Sequence, residues 1–237
     1  MAILVREANK QDLPAIARIA STAFHPTNDI VSRNLFPSYF LPTGISAEYA
    51  AYWWRFLQKK TSLDDQHTLM TVAIDSCLDH QIVGFASWEL PHGDEAHEAT
   101  PVEPNIPEPP ELDRNAFDEF ISALDQDHKA TFGERGIKDV WHLDHFGVDL
   151  RHQRKGVGKV LLEWGLRHAA KEGRDCYLTS TPAGKSLYTA AGFEVVRPVP
   201  VFGELFYSMI LKHKDKREEK RKPRREDLDD RRVSLMV

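Results

Sequence analysis

Hydrophobic positions along this chain follow strand and helix patterns in alternation. Short apolar runs predict strands at Ile3–Arg6, Thr68–Ile74, Gln81–Leu90, Trp141–Leu150, Cys176–Thr179 and Phe206–Leu211. Helical spacing predicts helices at Asp12–Phe24, Ser46–Lys60, Ala116–Phe132, 156–172 and Ala183–Ala191. The second helix would be buried through Tyr49, Trp53, Phe56 and Leu57, a hairpin would turn at Asp79-His80, and residues 25–45 would form a loop. This order of elements predicts a mixed α/β sheet with helices on both faces.

The most informative stretch is the turn between the strand Trp141–Leu150 and the helix after it, which reads Gln153-Arg154-Lys155-Gly156-Val157-Gly158. Backbone N–H groups at a helix start are unpaired and partly positive, and glycines let an anion approach them closely. The turn therefore predicts a phosphate or pyrophosphate site. It is not a P-loop, which needs a glycine at Gln153 and a hydroxyl at Val160, and Leu161 stands where a dinucleotide fingerprint needs a small residue.

A second motif follows downstream. Thr181-Pro182 predicts a helix start, and that helix carries Leu187-Tyr188 shortly before Gly192-Phe193. Together the two motifs resemble the coenzyme A signature of the GNAT N-acetyltransferase superfamily, and the whole pattern is most similar to fungal members. The resemblance covers residues 1–212. It implies a GNAT fold, an α/β arrangement whose mixed central sheet is splayed at the motif strand.

The resemblance also implies an acetyl-CoA site without a metal. The positions that match the family's coenzyme A contacts are Phe146, Val148, Gln153, Arg154, Lys155, Gly156, Val157, Gly158, Lys159, Thr181 and Tyr188. Backbone N–H groups would be the main anchor, because Lys159 also fits a solvated stripe of its helix. In the family a strand bulge frees an amide for the thioester oxygen, and Phe146-Gly147-Val148 stands at that position. Leu150 and Thr181 depart from the family's frequent proline and asparagine.

Direct acetyl transfer in a ternary complex is what the resemblance implies for the reaction. Tyr188 matches the family's proton donor to the leaving thiolate. An alkyl amine is mostly protonated at neutral pH, so the acceptor must also lose a proton. Neither of the two cysteines, Cys77 and Cys176, stands at a nucleophile position.

The proton acceptor is expected on or beside the motif strand. Asp144 is preferred, because family members often place a carboxylate there, and Glu89 and His92 are alternatives at the end of the preceding strand. His142 shares a face with Asp144, whereas His145 lies on the other face unless a bulge shifts it.

Two segments lie outside the shared pattern. Residues 91–140 form an insert in which an acidic, proline-rich loop precedes the helix Ala116–Phe132. The insert is either a wall or lid of the acceptor site or a surface decoration. Residues 213–237 form a charged tail, whose run Lys220–Arg225 fits a nuclear localisation signal or a solvated end.

Composition narrows the choice of partners. Two cysteines without metal or disulfide spacing favour a reduced, cytoplasmic protein, or a nuclear one if the basic run acts as a signal. No apolar run predicts a membrane span. The formal net charge of −5 and the basic tail leave an acidic body, which does not indicate nucleic-acid binding and favours a cationic amine acceptor. The oligomeric state stays open.

Three functions fit these observations. The first is an N-acetyltransferase for a small-molecule amine. The second is a protein acetyltransferase acting on lysines or N-termini, supported by the tail and by a possible open groove. The third is a non-catalytic coenzyme A-binding protein, against which the presence of both Tyr188 and the glycine turn argues.

Overall fold

A computed structural model of the protein describes residues 2–41, 44–93 and 107–213. Within these residues the strands are β1 Ile3–Glu7, β2 Thr68–Asp75, β3 Gln81–Glu89, β4 Trp141–Val148, β5 Cys176–Ser180, β6 Glu194–Val201 and β7 Glu204–Leu211. The α-helices are α1 Leu13–Ala23, α2 Ile30–Leu35, α3 Gly44–Asp64, α4 Arg114–Phe132, α5 Val157–Glu172 and α6 Lys185–Ala190. The predicted tail beyond His213 and most of the predicted proline-rich loop lie outside the described residues.

All of these strands join one sheet of seven strands in the order β1-β2-β3-β4-β5-β7-β6. Neighbouring strands are antiparallel except β4 and β5, which are parallel, so the predicted mixed sheet is confirmed. The predicted hairpin is also confirmed, since β2 and β3 are joined through Asp79 and His80 with φ angles of 48° and 59°. Two consecutive left-handed residues suit the right-handed twist of paired strands.

Helices cover both faces of the sheet. Helices α5 and α6 pack on one face, in a core that includes Trp88, Leu143, Leu161, Leu178, Tyr188 and Met209. Helix α1 packs on the other face against β2 and β3, in a core that includes Ile16, Ile19, Val72 and Phe85. No helix among residues 2–41, 44–93 and 107–213 is both long and apolar enough to cross a bilayer.

The insert's helix α4 is docked on the face that α1 covers. Tyr177 of β5 points to that face, because its neighbours Cys176 and Leu178 lie in the α5 core. Its hydroxyl donates to the buried carboxylate of Asp127 in α4. The Nε of Arg197 in β6 lies 3.5 Å from the other oxygen of that carboxylate. A buried carboxylate with these partners holds α4 against β5 and β6.

The predicted buried side of α3 is wrong at Tyr49 and Trp53, whereas Phe56 and Leu57 are partly buried. Tyr49 and Trp53 are 65% and 41% exposed, and they line a groove of about 300 Å³ with Pro107 and Pro109. From residue 46 to the end of this helix, the buried residues are Ala47, Ala51, Trp54, Arg55 and Lys59. Two of the five are cations, which an apolar pattern assigns to the solvent side of a helix.

Two elements were not predicted. Strand β6 contains Pro198 and Pro200, which argue against a strand interior, but β6 is an edge strand, where a missing N–H is tolerated. Helix α2 lies in the region predicted as a loop. Its start carries a recognisable cap, because the Asp29 carboxylate accepts from the backbone N–H of Ser32 at 2.7 Å.

Candidate active site

A wedge between β4 and β5 lies at the centre of the sheet. The two strands pair only at Trp141 with Cys176 and at His142 with Tyr177. Beyond His142 they diverge, so the backbone groups that each strand directs into the wedge lack a strand partner. Such an edge can hydrogen-bond an extended ligand as an added strand would. The predicted splay at the motif strand is confirmed.

The bulge in β4 lies at Asp144, and not at the predicted Phe146-Gly147-Val148. Ser87 of β3 pairs with His145 while its neighbour Trp88 pairs with Leu143, so Asp144 is the extra residue. Gly147 has a different role. A Cβ on it would lie 2.6 Å from Cε1 of Phe85, so the glycine allows the close approach of that ring.

The bulge brings His145 onto the same face as Asp144. The sequence pattern had placed His145 on the opposite face unless a bulge shifted it. The Nδ1–H of His145 donates to the Asp144 carboxylate. The imidazole also packs edge-on against Phe24 at the end of α1, with 6.5 Å between ring centroids. Asp144 and His145 therefore form a carboxylate–imidazole pair on the α1 side of the sheet.

The Asp144 carboxyl stays ionised. Burial raises its pKa, but the charge and hydrogen bond of His145, followed by the charges of Lys59 and His142, outweigh that effect and hold the pKa well below its usual range. The side chain is still 31% exposed, so it faces the site and is not sealed in the core. A carboxylate with so low a pKa is a weak proton acceptor and a strong partner for an imidazole.

A second carboxylate–imidazole pair lies at the apex of the wedge. The Nδ1–H of His142 donates to Oε2 of Glu89 at 2.9 Å. Burial lowers the pKa of His142, but Glu89 outweighs this and the net shift is upward. His128 of α4 lies 5.3 Å away between ring centroids, and burial, then the charge of His142, lowers its pKa. His92, the other predicted alternative, contacts His67 instead, at 5.1 Å between ring centroids.

On the opposite face, the glycine turn leads into α5. Arg154 and Gly156 adopt left-handed φ angles of 59° and 87°. No side chain caps the start of α5, its first turn contains no acidic residue, and within the described part of the chain the N–H groups of Val157, Gly158 and Lys159 have no acceptor. Uncapped N–H groups at a helix start suit an anion.

The side chains of the turn differ in their surroundings. Gln153 donates from Nε2 to the Val148 carbonyl at 3.2 Å, which ties the turn to the end of β4. Val157 is buried in the core, so only its backbone can face a ligand. Lys155 is exposed. Lys159 lies on the solvated stripe of α5, where its Nζ is 3.7 Å from Oε1 of Glu163.

Tyr188 lies on the same face as the turn. Its ring packs against Phe146 and Phe193, with centroids 6.2 and 6.0 Å away. Burial raises the pKa of its hydroxyl, which therefore stays protonated near neutral pH. Among the residues that the structure describes, this hydroxyl has no hydrogen-bond partner. Although the residue is only 9% exposed, its hydroxyl oxygen is not one of the fully enclosed unpaired atoms, so it can face a ligand.

The remaining predicted positions surround Tyr188. A Cβ on Gly158 would lie 3.4 Å from Leu187 and 3.5 Å from Phe146, so the turn, β4 and α6 converge here. Thr181 does not cap α6, whose preceding residue is Gly184. Instead its Oγ1 accepts from the Gly184 N–H at 3.2 Å, and its own hydrogen remains able to donate.

Lys59 is a site residue that sequence reasoning missed. It lies in α3, is 1% exposed, and its ammonium is close enough to Asp144 to lower the pKa of that carboxyl. Its sequence neighbourhood carries no signal for this position, because Lys59 and Lys60 look alike in a helix pattern. The described residues contain no group of three or more His, Cys, Asp or Glu placed to hold a metal ion.

Comparison with known proteins agrees with this geometry. Residues 111–209 match the family model described as the acetyltransferase (GNAT) domain. This match covers less than half of the chain. A solved structure from Corynebacterium glutamicum, described as histone acetyltransferase HPA2 and related acetyltransferase, aligns with a TM-score of 0.55 at 19% identity, over 91% of this chain and 98% of that one. The PaiA N-acetyltransferase from Thermoplasma acidophilum in complex with coenzyme A aligns with a TM-score of 0.51 at 14% identity, over 90% and 100%. At these identities the likeness shows the fold, and it confirms the predicted GNAT fold.

Two curated relatives of this chain come from fungi. A protein of Stachybotrys chartarum named acetyltransferase is 29% identical over 136 residues, which are 56% of this chain and 58% of the relative. A protein of Ajellomyces capsulatus named probable acyltransferase SID5 is 33% identical over 66 residues, which are 26% of this chain and 48% of the relative. The chain thus spans about half the length of the curated relatives it matches.

Proposed function

We propose that this protein is an acetyl-CoA-dependent N-acetyltransferase that transfers acetyl directly to a small-molecule amine. The wedge between β4 and β5 carries the proposal, because it joins the two faces of the sheet. Tyr188 and the start of α5 lie on one face, and Asp144 and His145 lie on the other. Two substrates that enter from opposite faces meet in the wedge, so direct transfer needs no acyl-enzyme.

The start of α5 fits the pyrophosphate of acetyl-CoA. Its uncapped N–H groups and the absence of first-turn acidic residues suit an anion of that kind. The free strand edges of β4 at Phe146 and Val148 suit the amides of the pantetheine arm. The Thr181 hydroxyl and the exposed Arg154 and Lys155 can add polar contacts. Bound there, acetyl-CoA supplies the activated acetyl group as a thioester.

Two groups of this chain move protons in the proposed reaction. His145, held through Nδ1 by the ionised Asp144, takes the proton from the acceptor ammonium. Asp144, the residue preferred from the sequence, thus acts through His145 as the anion that orients it. Tyr188, protonated and without a partner in the described structure, donates its proton to the departing thiolate.

The docking of α4 favours a small acceptor over a protein. Asp127 holds this helix on the sheet face that carries His145, and the His128 ring packs edge-on against His142. The acceptor side is therefore walled by α1, α3 and α4, which gives the insert a role in shaping the site. A small amine needs only an opening in this wall, whereas a protein substrate needs an extended groove across it.

Calorimetry on acetyl-CoA tests the cofactor half of the proposal. Gly158→Glu puts a carboxylate against the anion site, and the expected result is a loss of affinity of about 100-fold or more, since a like charge replaces a donor-lined surface. Gly158→Ala separates the added carbon from the charge, because its Cβ meets neighbours only at ordinary contact distance. Ala170→Glu adds the same charge at an exposed position near the far end of α5. Unchanged affinity in folded Gly158→Glu contradicts the site.

A coenzyme A-release screen tests the acceptor half. Amines, amino acids, aminoglycosides, polyamines and histone peptides are offered with saturating acetyl-CoA. Turnover with a small amine supports the proposal. Turnover confined to peptides identifies a protein acetyltransferase, and tight acetyl-CoA binding without release for any acceptor identifies a coenzyme A-binding protein.

A further inference from the structure

Lys59 is a buried cation without a hydrogen-bond partner. Its side chain is 1% exposed, and its Nζ, within the described part of the chain, bonds to no acceptor. It lies 5.9 Å from the centroid of the Phe85 ring. Burying an ammonium without a hydrogen bond is costly, and natural cores rarely keep such a group unless a nearby charge or a function compensates.

The charge that compensates Lys59 belongs to the candidate active site. Burial lowers the pKa of Lys59 to about 8, the Asp144 charge raises it, and the Arg55 charge one turn earlier in α3 lowers it. In return Lys59 lowers the pKa of Asp144. The charged groups that face this pair are Arg55 on α3 and His142 and His145 on β4. Lys59 is therefore a buried cation whose charge acts on the carboxylate that His145 hydrogen-bonds.

We propose that Lys59 is a positioning residue, whose buried charge opposes protonation of the Asp144–His145 pair and so sets the pH range in which this pair accepts the acceptor's proton. The inference rests on the proposed function for its catalytic meaning. The reasoning is electrostatic: a buried ammonium whose charge acts on the pair opposes the addition of a further proton to it. While Lys59 is charged, the pair stays ready to accept a proton at a lower pH than it could alone.

A merely structural role explains Lys59 poorly. A methionine has nearly the same length and no charge, so it would fill the same space without the desolvation cost. Arg55, which is also buried, differs in this respect, because its Nη2 donates to the Phe24 carbonyl at 3.1 Å and to Ser32 Oγ at 2.7 Å. Arg55 holds α1 and α2 together, whereas Lys59 makes no such contact among the described residues.

The pH dependence of kcat/KM tests the inference with Lys59→Met and Lys59→Arg. In Lys59→Met the fall of kcat/KM on the acid side of the profile is expected to shift to a pH higher by ~1 unit. At pH values within and below that fall, kcat/KM is then up to ~10-fold lower than in the parent. Above about pH 8 the parent Lys59 itself loses its charge, so the two profiles converge. Lys59→Arg restores the charge and the parent profile. Lys60→Met, the same change at the exposed neighbouring position, leaves the profile unmoved.

A second measurement does not need activity. A double-mutant cycle at pH 7 compares the urea unfolding midpoints of four proteins: the parent, Lys59→Met, Asp144→Asn and the double variant. The inference expects Lys59→Met to raise the midpoint more when Asp144 is already neutral, because the partner charge is then absent. If the parent turns over no acceptor, the proposed function fails while this cycle still reports on the pair. The inference is overturned if the parent is active, the pH profile of kcat/KM is the same in Lys59→Met, and the unfolding cycle shows no coupling between Lys59 and Asp144.

Discussion

Tyr188→Phe separates a catalytic tyrosine from a structural one, because it removes a single oxygen. The ring contacts with Phe146 and Phe193 persist in the variant. No hydrogen bond among the described residues involves the hydroxyl, so its removal leaves no partner group unsatisfied. The expected change in the free energy of unfolding is therefore small, within about 0.5 kcal/mol.

Turnover should respond very differently. If the hydroxyl protonates the leaving thiolate, kcat falls by ~100-fold or more, the usual scale of general acid catalysis. That loss equals about 2.7 kcal/mol of transition-state stabilisation, at about 1.36 kcal/mol per tenfold. Acetyl-CoA affinity changes little, because the proton moves only as the bond breaks. Since burial holds the pKa of Tyr188 above its ordinary value, the effect is constant between pH 6 and 9.

The assay follows coenzyme A release with a verified acceptor, both substrates saturating, and single-turnover mixing establishes that chemistry limits the rate. Tyr49→Phe is the matched control, since Tyr49 lies exposed on α3 and loses the same atom. A folded Tyr188→Phe protein with parental kcat refutes the role. A variant that loses stability together with activity shows instead that Tyr188 is a structural residue.

Three other substitutions probe the frame of the site through urea unfolding. Gly147→Ala places a Cβ 2.6 Å from Phe85 and should cost about 1–3 kcal/mol by overpacking; parental stability would show that the ring moves freely. Asp127→Asn weakens the acceptor network of α4 and should cost about 2 kcal/mol; a loss within error would mean that α4 docks by apolar contact alone. Glu89→Gln removes the partner that raises the pKa of His142, so the stability lost should be larger at pH 6, where His142 is charged, than at pH 8. Equal losses at both pH values contradict this linkage.

Local signals in the sequence were sufficient to predict much of the secondary structure around the candidate site. The Asp79-His80 hairpin, the strand before the glycine turn and the apolar helix after it each depend on neighbouring residues alone, and each is present. The positions of Tyr188 and Gly158 on one side of the wedge followed from the two motifs. What these motifs bind remains a proposal, since the solved structures share only the fold.

Long-range geometry set what the sequence left open. The bulge at Asp144 depends on the register of β4 against β3, and no residue type within β4 predicts its position. The orientation of α3 depends on burying Lys59 beside that bulge, which hydropathy opposes. Strand β6 tolerates its prolines only because it ends at the edge of the sheet. In each case a tertiary contact overrides a local preference.

The short pairing between β4 and β5 has a consequence for local opening of the sheet. The antiparallel strands β1–β4 form one ladder and β5–β7 another, and only two residue pairs join them. Separating the two ladders slightly therefore breaks few backbone hydrogen bonds, and the side chains shared through α5 and α4 provide most of the resistance. Amide hydrogens beside this seam are expected to exchange through a smaller opening than those inside either ladder. A ligand that spans the seam would slow their exchange, so hydrogen exchange can report occupancy of the wedge before any acceptor is known.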